Sequence, residues 1–269
     1  MDLNMTVGQL IEAGGEVKSP QRVNSDKAYK KRMSQQDPRS FVQVNDRGVV
    51  HVKSTLNLTQ AGTLFSLMAY LDDKDGNLVF RGERLGTEQL SKLLSVSKTS
   101  LKRNISELVN LGYVIDEKVG RKVFYSVNPQ IAKRGVRTEK DLFSKLYNVH
   151  LRELIQKLTV QELGFLFLMI PYFNTKYYTL CQNPYELNSS KVELFDRERF
   201  AEEVGLSLVQ VKRLIANLLK KQALIGLRTC RTAIIISPKL VSRQQKFVSI
   251  EEVTDIIGNE LNVKERMQW

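Results

Sequence analysis

The residues of this chain with most to offer chemically are cations set beside amides and hydroxyls. Lys102-Arg103 follows Lys98, Thr99 and Ser100; 110 positions on, Lys212-Arg213 follows Gln210 and precedes Asn217. Arg and Lys donate to O6 and N7 of guanine, while Gln and Asn can bond N6 and N7 of adenine together. Groups of this kind recognise a surface; they do not activate a nucleophile. Any surface helix carries some Lys and Arg, so one such pair would mean little. The recurrence in register is what carries weight. A further basic cluster, Lys118, Arg121 and Lys122, surrounds Gly120, and a sparser one, Arg228 and Arg231, follows later. The chain has 41 Lys and Arg against 29 Asp and Glu, a net charge of +12 over 269 residues. That excess suits a polyanion, because each phosphate neutralised releases condensed counterions.

Other chemistries lack their residues. His51 and His150 lie in unrelated contexts, with no HxH or HxxR spacing. Arg81-Gly82-Glu83-Arg84-Leu85-Gly86 has two glycines but not the Lys of a phosphate-binding loop. Cys181 and Cys230 stand apart from each other and from histidine, and read as reduced thiols. Tyr172, Phe173, Tyr177 and Tyr178 could stack on single-stranded bases, but such a cluster more often packs a core or loop. Asp72-Asp73 and Glu202-Glu203 read as caps and solvated faces. No catalytic residue, metal ligand or cofactor is expected, and the chain is not read as an enzyme. No apolar run approaches the roughly 20 residues of a membrane span. The opening MDLNMTVGQLIEAGGEV lacks a basic-then-apolar signal pattern. A cytoplasmic protein without membrane contact is the expectation.

The elements that must hold the cations recur with them. Phe41, Leu56, Leu64-Phe65 and Tyr70 return 102 positions later as Phe143, Leu158, Leu166-Phe167 and Tyr172. Leu90, Leu94, Ser97, Leu101 and Ile105 return 110 positions later as Phe200, Val204, Ser207, Val211 and Ile215. The extra residues fall in a polar loop between Asn174 and Phe195. Within the first unit, Thr59–Leu71 has a helical period with Thr59 as candidate cap. A short helix from Thr87 to Leu94, a break at Ser95-Val96-Ser97 and a helix from Lys98 to about Leu111 make a helix-turn-helix pattern. Leu101, Ile105 and Leu108, at i, i+4 and i+7, face inward, which leaves Lys98, Thr99, Ser100, Lys102 and Arg103 outside. In the second unit the turn contains Gly205, which tolerates left-handed backbone, and Ser207-x-x-Gln210 suggests a capping box. Tyr113-Val114-Ile115 and Val123–Val127 flank the glycine turn as a hairpin, matched by Leu224–Leu227 and Ile234–Ile236.

The predicted class is therefore α+β, mainly α, with two tandem winged-helix domains over 41–135 and 136–245. Residues 1–40, with Lys30-Lys31-Arg32, read as a flexible basic arm. Lys133-Arg134-Gly135-Val136-Arg137-Thr138 reads as a short linker, and 246–269 as an amphipathic terminal helix beginning at Ser249.

The run from Thr59 to Gly135 resembles the winged-helix region of RepL-type plasmid replication initiators. The first helix ending in MAYL, the segment LSKLLSVSKTSLKRNISELVNLGYV and the closing YSVNPQIAKRG carry the likeness. The helix-turn-helix pattern is also common across MarR-like winged helices, and two units in one polypeptide stand closer to the tandem architecture of the large plasmid-initiator group. The resemblance implies a sequence-specific protein that binds double-stranded DNA at the origin repeats of a plasmid or phage. Lys102, Arg103, Lys212 and Arg213 would then be DNA contacts. A transcriptional repressor of such an element, and a winged-helix adaptor that binds proteins, are the alternatives. The terminal helix is a candidate surface for a second copy or for replication proteins.

Overall fold

The computed structural model describes residues 18–34, 37–73, 75–135, 142–228 and 232–261. The fold is α+β, with ten α-helices and small antiparallel sheets among those residues. The chain divides into two compact parts, Met1–Pro38 with Gln245–Phe247, and Arg39–Gln244 with Val248–Trp269.

The first part contains α1 (Pro20–Ser34), where the sequence suggested a flexible arm. Hydrophobic period is absent there, but Lys, Arg, Gln and Ala are strong helix formers in their own right. Ser19 accepts from Arg22 N at 3.2 Å, Pro20 takes the first helical position, and Lys18 pairs with Asp26 at 2.8 Å. The expectation for residues 1–17 lies outside the described residues.

The second part contains the duplication, with the same order of four helices in each repeat. The first repeat runs β1 (Phe41–Asn45), α2 (Asp46–Thr55), α3 (Leu58–Met68), β2 (Val79–Phe80), β3 (Glu83–Arg84), α4 (Thr87–Leu93), α5 (Lys98–Asn110), β4 (Val114–Val119), β5 (Lys122–Val127) and β6 (Ala132–Lys133). The second runs β7 (Phe143–Tyr147), α6 (Asn148–Lys157), α7 (Val160–Met169), α8 (Arg197–Val204), α9 (Leu208–Lys220), β8 (Leu224–Arg228), β9 (Thr232–Ile236) and β10 (Val241–Ser242). Between α7 and α8 lie two 3₁₀ turns, Ile170–Tyr172 and Ser189–Lys191, the latter within the longer loop. Finally α10 (Ile250–Glu260) closes the described chain.

The two repeats share one core instead of each building its own. Strands pair in the order β10-β7-β1-β6, so the opening strands of both repeats lie side by side at the centre. Their antiparallel register sets Phe41 opposite Tyr147, Gln43 opposite Lys145 and Asn45 opposite Phe143. Gln43 thus faces its own equivalent, 102 positions on, which is the signature of a local two-fold axis. Helices α3 and α7 obey the same axis. A Cβ on Gly62 would lie 1.8 Å from Val160 O, and one on Gly164 2.0 Å from Leu58 O. Glycine is required at both places because the backbones touch. Phe65 and Phe167 stack beside the crossing, with centroids 5.0 Å apart. Both repeat segments, 41–135 and 136–245, therefore contribute to a single hydrophobic cluster.

Caps define where these helices start. Asn57, not Thr59, caps α3, and its box is closed by Gln60; Thr159 and Glu162 do the same for α7. Leu58 is already helical and buried, which moves the start of α3 ahead of Thr59. The start of the expected linker is structural as well. Lys133 belongs to β6, opposite Gln43, and Arg134 bonds Leu71 O at 3.1 Å. Residues 136–141 lie outside the described set. Helix α10 is capped by Ser249, which accepts from Glu252 N at 3.1 Å. Its apolar residues Val253, Ile257 and Leu261 are buried in the chain's own core, so the surface expected to meet partners is already covered. Among the described residues no helix is long and apolar enough to cross a membrane.

Candidate nucleic-acid interface

In each repeat a short helix, a tight turn and a longer helix lead into a hairpin. The turn needs one left-handed residue. Gly205 supplies it at φ +67°, and Ser95 adopts it at φ +53° in the equivalent position. Ser97 and Ser207 then cap α5 and α9, their hydroxyls accepting from Ser100 N at 3.2 Å and Gln210 N at 3.3 Å. The cap satisfies one orphan N–H and leaves the positive end of the helix dipole open to an anion.

The inward face of α5 follows its spacing. Leu101, Ile105 and Leu108 are buried, and Asn104 joins them by donating to Thr63 Oγ1 at 3.0 Å. The polar character of Asn104 hides that role in the sequence, since nothing local announces the buried threonine it meets. Lys98, Thr99, Ser100, Lys102 and Arg103 are all exposed. On α9, Val211, Leu214, Ile215 and Leu218 are buried, Lys212 and Arg213 are exposed, and Gln210 and Asn217 are half-buried. One residue missed in the sequence stands out here. Val209 is 78% exposed on the same turn as the capped N-terminus.

The first hairpin pairs Val114 with Val127 through to Val119 with Lys122, so Gly120 and Arg121 form a two-residue turn. Gly120 takes φ +61°, as such a turn demands at its first position. From Ile115 onward every residue of β4 is exposed, and the hairpin presents Lys118, Arg121 and Lys122 to solvent. In the second hairpin Arg228 pairs with Thr232 in the ladder, while Arg231 and Cys230 lie outside the described residues.

None of Lys98, Lys102, Arg103, Lys118, Arg121, Lys122, Lys212 or Arg213 has an acidic partner among the described residues. Cations in the body of the fold behave differently. Lys221 pairs with Glu162 at 2.6 Å, and Arg243 with Asp46 at 2.9 Å in a nearly dry setting. Lys53 meets Glu203 at 2.6 Å and the Tyr172 hydroxyl at 3.0 Å, clasping the first repeat to the second. Burial there pushes the Tyr172 hydroxyl up to about 12; its bond to Glu203 adds to this and the Lys53 ammonium opposes it. Glu203, read from sequence as a solvated face, is thus a clasp. Tyr172 rests edge-on against Phe195 and Phe200, and Phe173, Tyr177 and Tyr178 are buried, so this aromatic cluster is packing.

A cleft of about 550 Å³ opens between the repeats. Arg103, Asn104 and Glu107 of α5 line it together with Gly205, Leu206 and Gln210 of the second repeat. The fold therefore brings Arg103 and Gln210, 107 positions apart in sequence, to one concavity. Cys181 is buried, and burial pushes its thiol up to about 12. His51 is exposed beside Tyr113, and His150 bonds Glu153 at 2.9 Å. Among the described residues no group of His, Cys, Asp and Glu could hold a metal ion. No family model, curated protein or solved structure matches this chain.

Proposed function

We propose that the chain is a sequence-specific duplex-DNA-binding protein, made of two winged-helix units fused on one core, which acts as a plasmid- or phage-type replication initiator. One observation carries the DNA reading. The exposed cations Lys98, Lys102, Arg103, Lys118, Arg121, Lys122, Lys212 and Arg213 have no acidic partners among the described residues, while Lys53, Lys221 and Arg243 in the body of the fold are matched. In this reading the capped ends of α5 and α9 enter the major groove, and Lys118, Arg121 and Lys122 grip the backbone beside it. The initiator role rests on the resemblance carried by LSKLLSVSKTSLKRNISELVNLGYV and YSVNPQIAKRG.

The test is duplex binding between 50 and 300 mM salt. Affinity falls steeply with salt, by a slope of about −0.9 per phosphate neutralised. Lys102→Ala with Arg103→Ala costs roughly 1–3 kcal/mol for each base that the pair ceases to read. Absent or salt-independent binding refutes the proposal. Binding to iterated origin repeats with melting of adjacent AT-rich DNA separates an initiator from a repressor.

A further inference from the structure

Val209 is more exposed, at 78%, than any other large apolar side chain among the described residues. It is the second residue of α9 after the cap Ser207. Lys212 and Arg213 follow at i+3 and i+4, so all three share one face of the helix. Packing does not account for an apolar group there, since it meets no core. Propensity does not either, because a β-branched residue is a mediocre helix former. The first repeat has the same face at the same offset, Thr99, Lys102 and Arg103, all exposed. Threonine and valine have nearly the same shape and differ by a hydroxyl for a methyl.

The one apolar feature on the floor of a major groove is the C5-methyl of thymine. We propose that Val209 contacts a thymine methyl in the half-site read by α9, whereas Thr99, with a hydroxyl beside its methyl, can meet either a polar base edge or a thymine methyl in the half-site read by α5. This rests on the DNA reading proposed above. The half-site read by α9 is therefore the more restricted of the two at this position, although the two readers are equivalent in fold. The contact hides one methyl group from water, an effect of about four-fold in affinity.

The experiment uses the full chain. A preferred duplex is selected from a random library, and each thymine is replaced singly by deoxyuridine, which removes only the methyl. One position in the α9 half-site then lowers affinity about four-fold for the parent protein. Val209→Ala binds the thymine and uracil duplexes alike, with a melting temperature no lower than that of the parent. A selected half-site lacking thymine, uniform indifference to uracil, or the same sensitivity in Val209→Ala overturns the methyl contact while leaving DNA binding intact. Failure to select any sequence overturns the DNA reading itself, and this inference with it.

Discussion

Replacing Gly62 by alanine tests the shared core directly. The added Cβ would lie 1.8 Å from Val160 O, 2.8 Å from its carbonyl carbon and 2.9 Å from Gly164 N. Every one of these is a backbone atom, so no side chain can swing aside. Helices α3 and α7 must separate by more than an ångström, loosening the Phe65–Phe167 stack that lies beside them. Overpacking a well-filled core costs about 1–3 kcal/mol. The rigidity of this contact places it at or slightly above the top of that range. Against it stands the gain of about 1 kcal/mol from alanine over glycine within a helix. The net expectation is a loss of about 2–3 kcal/mol, or roughly 5–10 °C in melting temperature for a body of this size. Gly164→Ala, 2.0 Å from Leu58 O, should behave alike, and the double variant should lose less than the sum, since one alanine already holds the helices apart. Gly258→Ala is the control. It lies exposed in α10 with nothing near its missing Cβ, and should stabilise by about 0.5–1 kcal/mol. Urea unfolding of the four variants reads all these values. A Gly62→Ala protein as stable as the parent would refute the close crossing.

Neutralising Lys118, Arg121 and Lys122 lowers affinity for preferred and random duplexes by a similar factor, measured side by side; loss of sequence preference alone would make the hairpin a base reader. The Glu162 carboxylate links folding to pH. Burial pushes this carboxyl up, but Lys221 and the Thr159 backbone and hydroxyl outweigh it and hold it below its ordinary value. A depressed folded-state value stabilises fully above the unfolded carboxylate range, near 4.3, and is lost as pH falls through the lower folded value. The stability gap between parent and Glu162→Gln in urea should accordingly narrow from pH 7 to pH 3, and a constant gap would count against the ion pair.

What can be read in the sequence is what repeats or has a period. The inward triplet Leu101, Ile105 and Leu108 follows from spacing, and the offsets of 102 and 110 carry over to the paired helices and to the starts of the paired hairpin strands. Interactions without a local period stay hidden. Gly62 and Gly164 look like weak points in two helices until each is seen to meet the backbone opposite; their common offset is the available clue. Asn57 escapes notice as a cap because Leu58 joins the helix before the polar Thr59. The strand pairing of Lys133, the bond from Asn104 to Thr63 and the clasp of Lys53 on Glu203 join residues whose contact only the assembled fold reveals. Val209 is easily passed over because an apolar residue in a helix is ordinarily assigned to the core.

The central sheet has a consequence for how the chain assembles. Strand β1 is complete at Asn45, yet the neighbour on one side begins at Phe143 and the other at Ala132. During synthesis the first repeat leaves the ribosome with one strand edge unpaired and the glycine face of α3 uncovered until α7 arrives. Contacts so distant in sequence form slowly. The surface the first repeat awaits is offered equally by the second repeat of any other copy of the chain. Two molecules emerging close together can therefore exchange halves, each completing the other's sheet and helix crossing with every native contact intact. A single covalent chain joining both halves raises the local concentration of the correct partner above that of any neighbour. The linkage thus protects the monomer against domain exchange, and it does so less well as the polysome becomes more crowded.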